Sequence, residues 1–454
     1  MGTYTNPIAR NGDFADPFVL RFNGRYYLYC TNPDLRCWTS TDLLGWTLVG
    51  PAIAPDTFPG LVPFAPEVTY WNGFFYAYTS PSGIGHHLLR STSPTGPFEL
   101  ISGNLEHGID GHVLIDDDGQ WYFFWAGDEG IWGAKMDSPT TFGEPVLTGA
   151  WMQGWTEGPF VTKHDGRYHM TLTGNHYLSP SYRVNGAVAD QPLGPYEDDP
   201  TNPLLMRTSG PSVGLGHPSV VLGPDLVSHW MVYHNLVLPD AAEPARPPHP
   251  AAALPHQDEL VWRDLNLDRV VWVDGWLRVL GPSHVATAPA PPDHETRWDR
   301  PEDAAQWVCA GQVVLDGEIA RLGGNHVAAI WRDAPLDEAF TAEVWMAGNP
   351  KAAYELSGCD DDRAIWAFRV DPGSGLFALV DAAGKPLASS RLRAGHVHDA
   401  LHCWRLAWDG EVAQLTIDGR HQLAASLPSG ARRLGVAADA GPLTLGYAAL
   451  TASS

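Results

Sequence analysis

One short pattern recurs along the first two-thirds of this chain and constrains its fold more than any other feature. An acidic residue or a histidine leads a strand, a tight turn follows, and an aromatic-rich strand returns. The clearest copy is Asp110-Gly111-His112-Val113-Leu114-Ile115, then Asp116-Asp117-Asp118-Gly119, then Gln120-Trp121-Tyr122-Phe123-Phe124-Trp125. An Asp-Gly pair accommodates positive φ, so this stretch predicts a β-hairpin. Further copies run from Asp16 through Asn23-Gly24, from Glu67 through Asn72-Gly73 and from Glu157 through Asp165-Gly166. A fifth starts at His217 and returns through Trp230-Met231-Val232-Tyr233. The leading residues Asp16, Glu67, Asp110, Glu157 and His217 are spaced by 51, 43, 47 and 60 positions.

A period of about 40–50 residues with several strands in each is the signature of propeller blades. Five copies therefore predict a five-bladed β-propeller in which the inner strand of each blade lines a central channel. Its five leading residues would then meet at one end of the axis. The Pro- and Ala-rich stretch 239–257 reads as a loop within the last blade, and Trp262 to Val279 supplies the two strands that finish it. Ala286-Thr287-Ala288-Pro289-Ala290-Pro291-Pro292 reads as a linker. Beyond it short strands continue without leading acids, for example Thr341 to Met346, Ala364 to Val370 and Ala413 to Ile417. That pattern predicts a β-sandwich. The expected chain is all-β, with a propeller over residues 1–285 and a sandwich over 293–454.

Charge and cysteine content narrow the partners. A formal net charge of −24 argues against nucleic acid or an anionic membrane surface. No run of about 18 apolar residues predicts a membrane span. Five cysteines, at 30, 37, 309, 359 and 403, do not suggest a disulfide framework. The opening Met-Gly-Thr-Tyr-Thr-Asn-Pro shows no signal peptide, so the expected location is cytoplasmic; a secreted chain trimmed of its signal would read the same.

Three carboxylates and a histidine at one end of a channel suggest acid/base chemistry. Hydrolysis of a glycosidic bond uses one carboxylic acid to protonate the leaving oxygen and one carboxylate to activate water or attack the sugar. A third can raise the acid's pKa by like-charge repulsion. Trp38, Trp71, Trp125 and Trp155 are candidate faces for a sugar ring. Asp116-Asp117-Asp118-Gly119 lacks the ligand spacing of a calcium loop and reads as a turn.

Asp13-Phe14-Ala15-Asp16-Pro17, Ala65-Pro66-Glu67, Ile109-Asp110-Gly111 and Thr156-Glu157-Gly158-Pro159 resemble, in order, the blade-leading motifs of glycoside hydrolase family 43. The resemblance covers residues 5 to about 282. It implies a five-bladed propeller of inverting enzymes acting on arabinose- and xylose-containing glycans, with a concanavalin-like sandwich appended. It also implies Asp16 as general base, Asp110 as the carboxylate that tunes and orients the acid, and Glu157 as general acid. Arg263 would contact substrate and the carboxylates. Glu67 would be a structural or substrate-contact residue outside the catalytic trio. His217 would stand beside a water-coordinated cation in the channel, such as a structural calcium, with no cofactor required for the chemistry. Thr31 to Trp38 replaces the Phe-Glu-Trp-type segment of many β-xylosidases. The expected activity is thus an exo-acting α-L-arabinofuranosidase on oligosaccharides, with β-xylosidase or galactofuranosidase as alternatives. A non-catalytic carbohydrate-binding propeller is the reading from another class.

Overall fold

A computed structural model describes residues 2–210, 212–237, 262–336, 338–361 and 363–452. The described residues divide into two compact units, the first built mainly from residues up to Ala290 and the second mainly from Pro291 onward. The stretch expected as a loop at 239–257 lies outside the described residues.

The first unit is a five-bladed propeller, each blade an antiparallel sheet with its first strand innermost. The inner strands are Ala15–Phe22, Pro63–Trp71, Ile109–Ile115, Thr156–His164 and Val213–Leu222. Each turns back through the short hairpin its sequence predicts, with Asn23, Asn72, Asp165 and the glycine after each in the left-handed region. Five separate apolar clusters fill the gaps between neighbouring blades. Tyr29 and Phe75 mark the gap between blades one and two, and Tyr78 and Phe123 the next. Phe124 and Met170 follow, then Val184 and Met231, and finally Tyr26 and Trp230 where blade five meets blade one. Aromatic and β-branched residues suit these faces because each sheet is buried on both sides.

The ring is closed by a device the sequence reading missed. Thr3–Thr5 pairs antiparallel with Val285–Thr287, so the start of the expected linker is a strand. The Asn6 carboxamide then imitates a strand against blade five, donating to the Leu267 carbonyl at 2.8 Å and accepting the Leu267 N–H at 2.9 Å.

The second unit is a β-sandwich: one continuous thirteen-stranded sheet turns back around a single core. Trp298, Trp331, Trp366 and Trp404 are fully buried there, and the Trp307 and Trp331 rings stack at 5.2 Å.

Every inner strand of the propeller carries a β-bulge at the same level. Pairing breaks between Ala15 and Phe18, Phe64 and Glu67, Ile109 and His112, Glu157 and Phe160, and Gly216 and Ser219. Within each bulge one residue has a left-handed backbone: Asp16, Ala65, Asp110, Gly158 and His217, with φ of 50°, 42°, 58°, 56° and 50°. A proline follows in four blades and Gly111 in the third. Proline fits because a bulge releases its residue from the ladder, so no N–H is missed. The equivalent positions therefore differ from the leading residues read in sequence. Glu67 lies two residues past its blade's bulge residue, and Glu157 lies one before.

Candidate active site

The bulges re-aim side chains into the channel mouth and build two layers there. The outer layer brings together Asp16, Asp110 and His217 from the bulge positions, with Glu157 from the position before. The inner layer consists of Phe18, Glu67, His112, Phe160 and Ser219. His112 packs on Phe160 with ring centroids 4.6 Å apart. A small cavity on the axis is lined by both layers, including Asp16, Asp110, Phe160 and Ser219.

Asp16 is the most heavily supported carboxylate. Arg263 Nη1 donates to its Oδ1 at 2.9 Å and the Thr31 hydroxyl donates to its Oδ2 at 2.6 Å. His217 Nδ1 lies 3.4 Å from Oδ1. Burial pushes this carboxyl up, but the Arg263 charge, then His217 and His234, and the Thr31 hydrogen bond hold it well below the usual carboxylate range. Asp110 is the opposite case. Burial, then the Asp16 charge, push it up to about 7 against a hydrogen bond from the Gly158 N–H at 3.0 Å. Glu157 is also pushed up to about 7, by burial and then by Asp110. Tyr182 donates to its Oε1 and the Trp155 indole donates to its Oε2, and both bonds oppose the rise. One member of the trio is thus held ionised and two are held toward their protonated forms.

Arg263 is buried at the head of the third strand of blade five, with the Tyr177 ring 5.5 Å from its guanidinium. Trp155 is exposed beside Glu157. Three other expected contact residues lie elsewhere. Trp38 packs against Phe14 at 5.3 Å in the core between blades five and one. Trp125 is buried in the core between blades two and three, its ring 4.4 Å from His107. Trp71 meets Trp121 edge-on at 5.6 Å, at the turn end of its strand and away from the bulge. Trp38 and Trp125 fill inter-blade gaps, where no ring face is left for a sugar, and the half-buried Trp71 packs at the edge of one.

Glu67 is likewise spoken for. Its Oε2 meets His112 Nδ1 at 2.8 Å and its Oε1 accepts the Val113 N–H at 2.8 Å, so it clasps blade two to blade three. His112 Nε2 meets the Val161 carbonyl at 3.1 Å, extending the clasp to blade four. These residues bear on the expected calcium. Among the described residues no group of three or more His, Cys, Asp or Glu has the arrangement of a metal site. Calcium takes six to eight oxygens, whereas the channel oxygens of Glu67 and Ser219 are engaged with His112, Val113, Pro17 and Val19. His217 points its Nδ1 at the carboxylates. These residues form no protein cage for calcium, which leaves the water-coordinated cation beside His217 as the family resemblance implies it.

Sequence reasoning missed Thr31, Tyr182, Tyr177 and His234. All four come from second strands or the loops after them, where no recurring motif marks them.

Residues 4–277 match the family model of the glycosyl hydrolases family 43. A beta-D-galactofuranosidase of Aspergillus niger is 27% identical over 279 residues, covering 53% of this chain and 79% of that protein. A non-reducing end alpha-L-arabinofuranosidase of Bacteroides ovatus is 28% identical over 258 residues, 51% of this chain and 47% of that protein; the chain thus spans about half of that relative's length. Among solved structures, a thermostable family-43 glycoside hydrolase aligns with a TM-score of 0.53 at 32% identity, covering 64% of this chain and 100% of that one. The family match takes in all five blades and more than half of the sequence: this chain belongs to the glycosyl hydrolases family 43.

Proposed function

We propose that this protein is an inverting glycoside hydrolase that releases terminal α-L-arabinofuranosyl units from oligosaccharides. The observation that carries the reading is the electrostatic division of the trio. Asp16, held ionised by Arg263, keeps lone pairs on both carboxylate oxygens and can accept a proton from water attacking the sugar. Glu157, held toward its protonated form near neutrality, can donate to the departing glycosidic oxygen. Asp110 stands electrostatically between them and raises Glu157 by repulsion. Trp155, exposed and hydrogen-bonded to the acid, is placed to touch the leaving sugar.

One observation supports a furanoside: the segment Thr31 to Trp38 departs from the β-xylosidase pattern, and Thr31 itself bonds Asp16. The match to the galactofuranosidase extends over 79% of that protein, which keeps galactofuranoside as the second reading.

Glu157→Gln and Asp16→Asn should each lower turnover of an aryl α-L-arabinofuranoside by about 10³-fold or more while circular dichroism stays unchanged. Wild-type rates in either would sink the assignment. A parallel panel of aryl xyloside and galactofuranoside decides the sugar, and NMR of the first-formed anomer decides inversion.

A further inference from the structure

The N–H of a bulged residue is released from its ladder and needs an acceptor when buried. For three of the five bulges the acceptor comes from the second strand of the preceding blade, at the position paired with the residue before the bulge, whereas the Gly158 N–H goes to Asp110. Thr31, paired with Ala15, accepts the Ala65 N–H at 2.8 Å. Thr173, paired with Glu157, accepts the His217 N–H at 3.0 Å. The same position in blade five, paired with Gly216, is His234, and its Nδ1 accepts the Asp16 N–H at 3.1 Å. Two blades thus use a threonine hydroxyl, and the blade that serves Asp16 uses an imidazole.

The imidazole offers something a hydroxyl cannot. Its flat face stacks on Tyr182, with ring centroids 5.8 Å apart and planes 9° from parallel, and Tyr182 donates its hydroxyl to Glu157. Gly216 makes room for this arrangement, since a Cβ there would lie 2.1 Å from Tyr182 Cε1. An Nδ1 that accepts carries no proton, so the ring proton of His234 resides on Nε2. Nε2 is buried and has no hydrogen-bond partner among the described residues. Burial, then the Arg263 charge, hold this imidazole well below the usual histidine range against the pull of Asp16, as a neutral ring requires. Asp16 in turn adopts a left-handed φ of 50°, a conformation that a non-glycine residue keeps only where its surroundings impose it.

We propose that His234 is a positioning residue: its Nδ1 fixes the backbone of Asp16, and its stack on Tyr182 ties that hold to Glu157. The proposal rests on the reading of Asp16 as base and Glu157 as acid. It assigns His234 no proton transfer and no substrate contact. The hydrogen bond sets where Asp16 stands, and the stack adds a lesser tie to Glu157, worth no more than the roughly 5-fold that a variant keeping only the hydrogen bond would give up.

The test compares two replacements of similar size. In His234→Asn the carboxamide oxygen can occupy the Nδ1 position, whereas His234→Gln places its polar atoms near Nε2 and abandons the Asp16 N–H. On an aryl α-L-arabinofuranoside, the Asn variant should keep kcat within about 5-fold of wild type. The Gln variant should lose about 10–100-fold in kcat with KM within about 2-fold, the signature of a misplaced reacting group. Equal rates for the two, or a loss confined to KM, would overturn the proposal. A second measurement needs no folded Gln variant. In wild-type protein with ¹⁵N-labelled histidine, the His234 signal, assigned by its absence from the Asn variant, should show an unprotonated Nδ1 and a protonated Nε2 from pH 5 to pH 8. The reverse tautomer or an imidazolium would overturn the hold on Asp16. Asp16→Asn separates the two readings: activity in that variant removes the proposed function, while its inactivity alongside a fully active His234→Gln removes only this inference.

Discussion

At the scale of single residues, three carboxyl groups a few residues' reach apart end up in different protonation states because their neighbours differ. Asp16 has a guanidinium against it and stays charged. Asp110 has the charge of Asp16 instead, and Glu157 and Asp110 oppose each other's ionisation, so each is pushed up to about 7 after burial has acted. The rate needs Asp16 ionised and Glu157 protonated. As pH rises through about 7 Glu157 loses its proton, so kcat/KM should fall on that side. The acid limb set by Asp16 should lie below about 3.9, the ordinary value for an aspartate. In Asp110→Asn the repulsion on Glu157 is gone, and the alkaline limb should move down by about 0.5–1 pH unit. A pH–rate profile in which that limb stays in place or moves up would remove Asp110 from the tuning role. Tyr182→Phe should act with the opposite sign, because the Tyr182 hydroxyl favours the charged form of Glu157.

At the scale of the element, the repeated bulge decides which side chain reaches which layer, and here the sequence was only partly legible. Strands and turns were readable because Asn-Gly and Asp-Gly are local signals that mark four of the blades, and the fifth follows from His217 and its aromatic return strand. The depth of each leading residue was not readable from acidity alone. Glu67 and Glu157 resemble Asp16 and Asp110 in type, yet Ala65 and Gly158 hold the equivalent backbone positions. The available signal was the residue that follows: Asp16-Pro17, Ala65-Pro66, Gly158-Pro159 and His217-Pro218 mark the bulge, with Asp110-Gly111 as the variant. A shift of two residues moves Glu67 to the inner layer, where its partners are His112 and Val113. Trp38 and Trp125 failed as sugar faces for a related reason: an indole on a second or third strand of a blade serves the inter-blade core. Thr31, Tyr182 and His234 act across blades, so no local window could reveal them. Glu67→Ala is the test at this scale. Alanine leaves the buried Val113 N–H without its acceptor and His112 Nδ1 without its partner. Stability should fall by about 2–3 kcal/mol, read from the thermal transition, while kcat/KM of the folded enzyme stays within about 3-fold. A large loss of kcat/KM at unchanged stability would return Glu67 to the substrate.

At the scale of the whole propeller, five sheets packed side by side gain from every inter-blade core, but the ring must be joined somewhere. That join lies between blade five and the start of the chain. Tyr4 and Phe14 enter the same apolar cluster as Trp230, Leu265 and Leu267, and Thr3–Thr5 adds backbone pairing with Val285–Thr287. Asn6 is the polar fastening of this seam. It is buried, bonds both backbone groups of Leu267, and donates at 3.2 Å to the Ser283 hydroxyl. Replacing it with alanine leaves the Leu267 N–H buried without its acceptor, a cost of about 1–3 kcal/mol for the unmet donor. Tyr4 still donates to the Leu267 carbonyl, so the second half of the fastening is only weakened. With about 2–4 °C of melting temperature per kcal/mol for a domain of this size, Asn6→Ala should lower the propeller's thermal transition by roughly 2–12 °C. Its hydrogen bonds go to blade five and the closing segment, none to the carboxylate cluster. Turnover well below the transition should therefore match wild type. An unchanged melting temperature would mean that the apolar cluster alone closes the ring. A rate loss in the folded variant would mean that the seam also sets the geometry of Asp16, which leads the blade it joins.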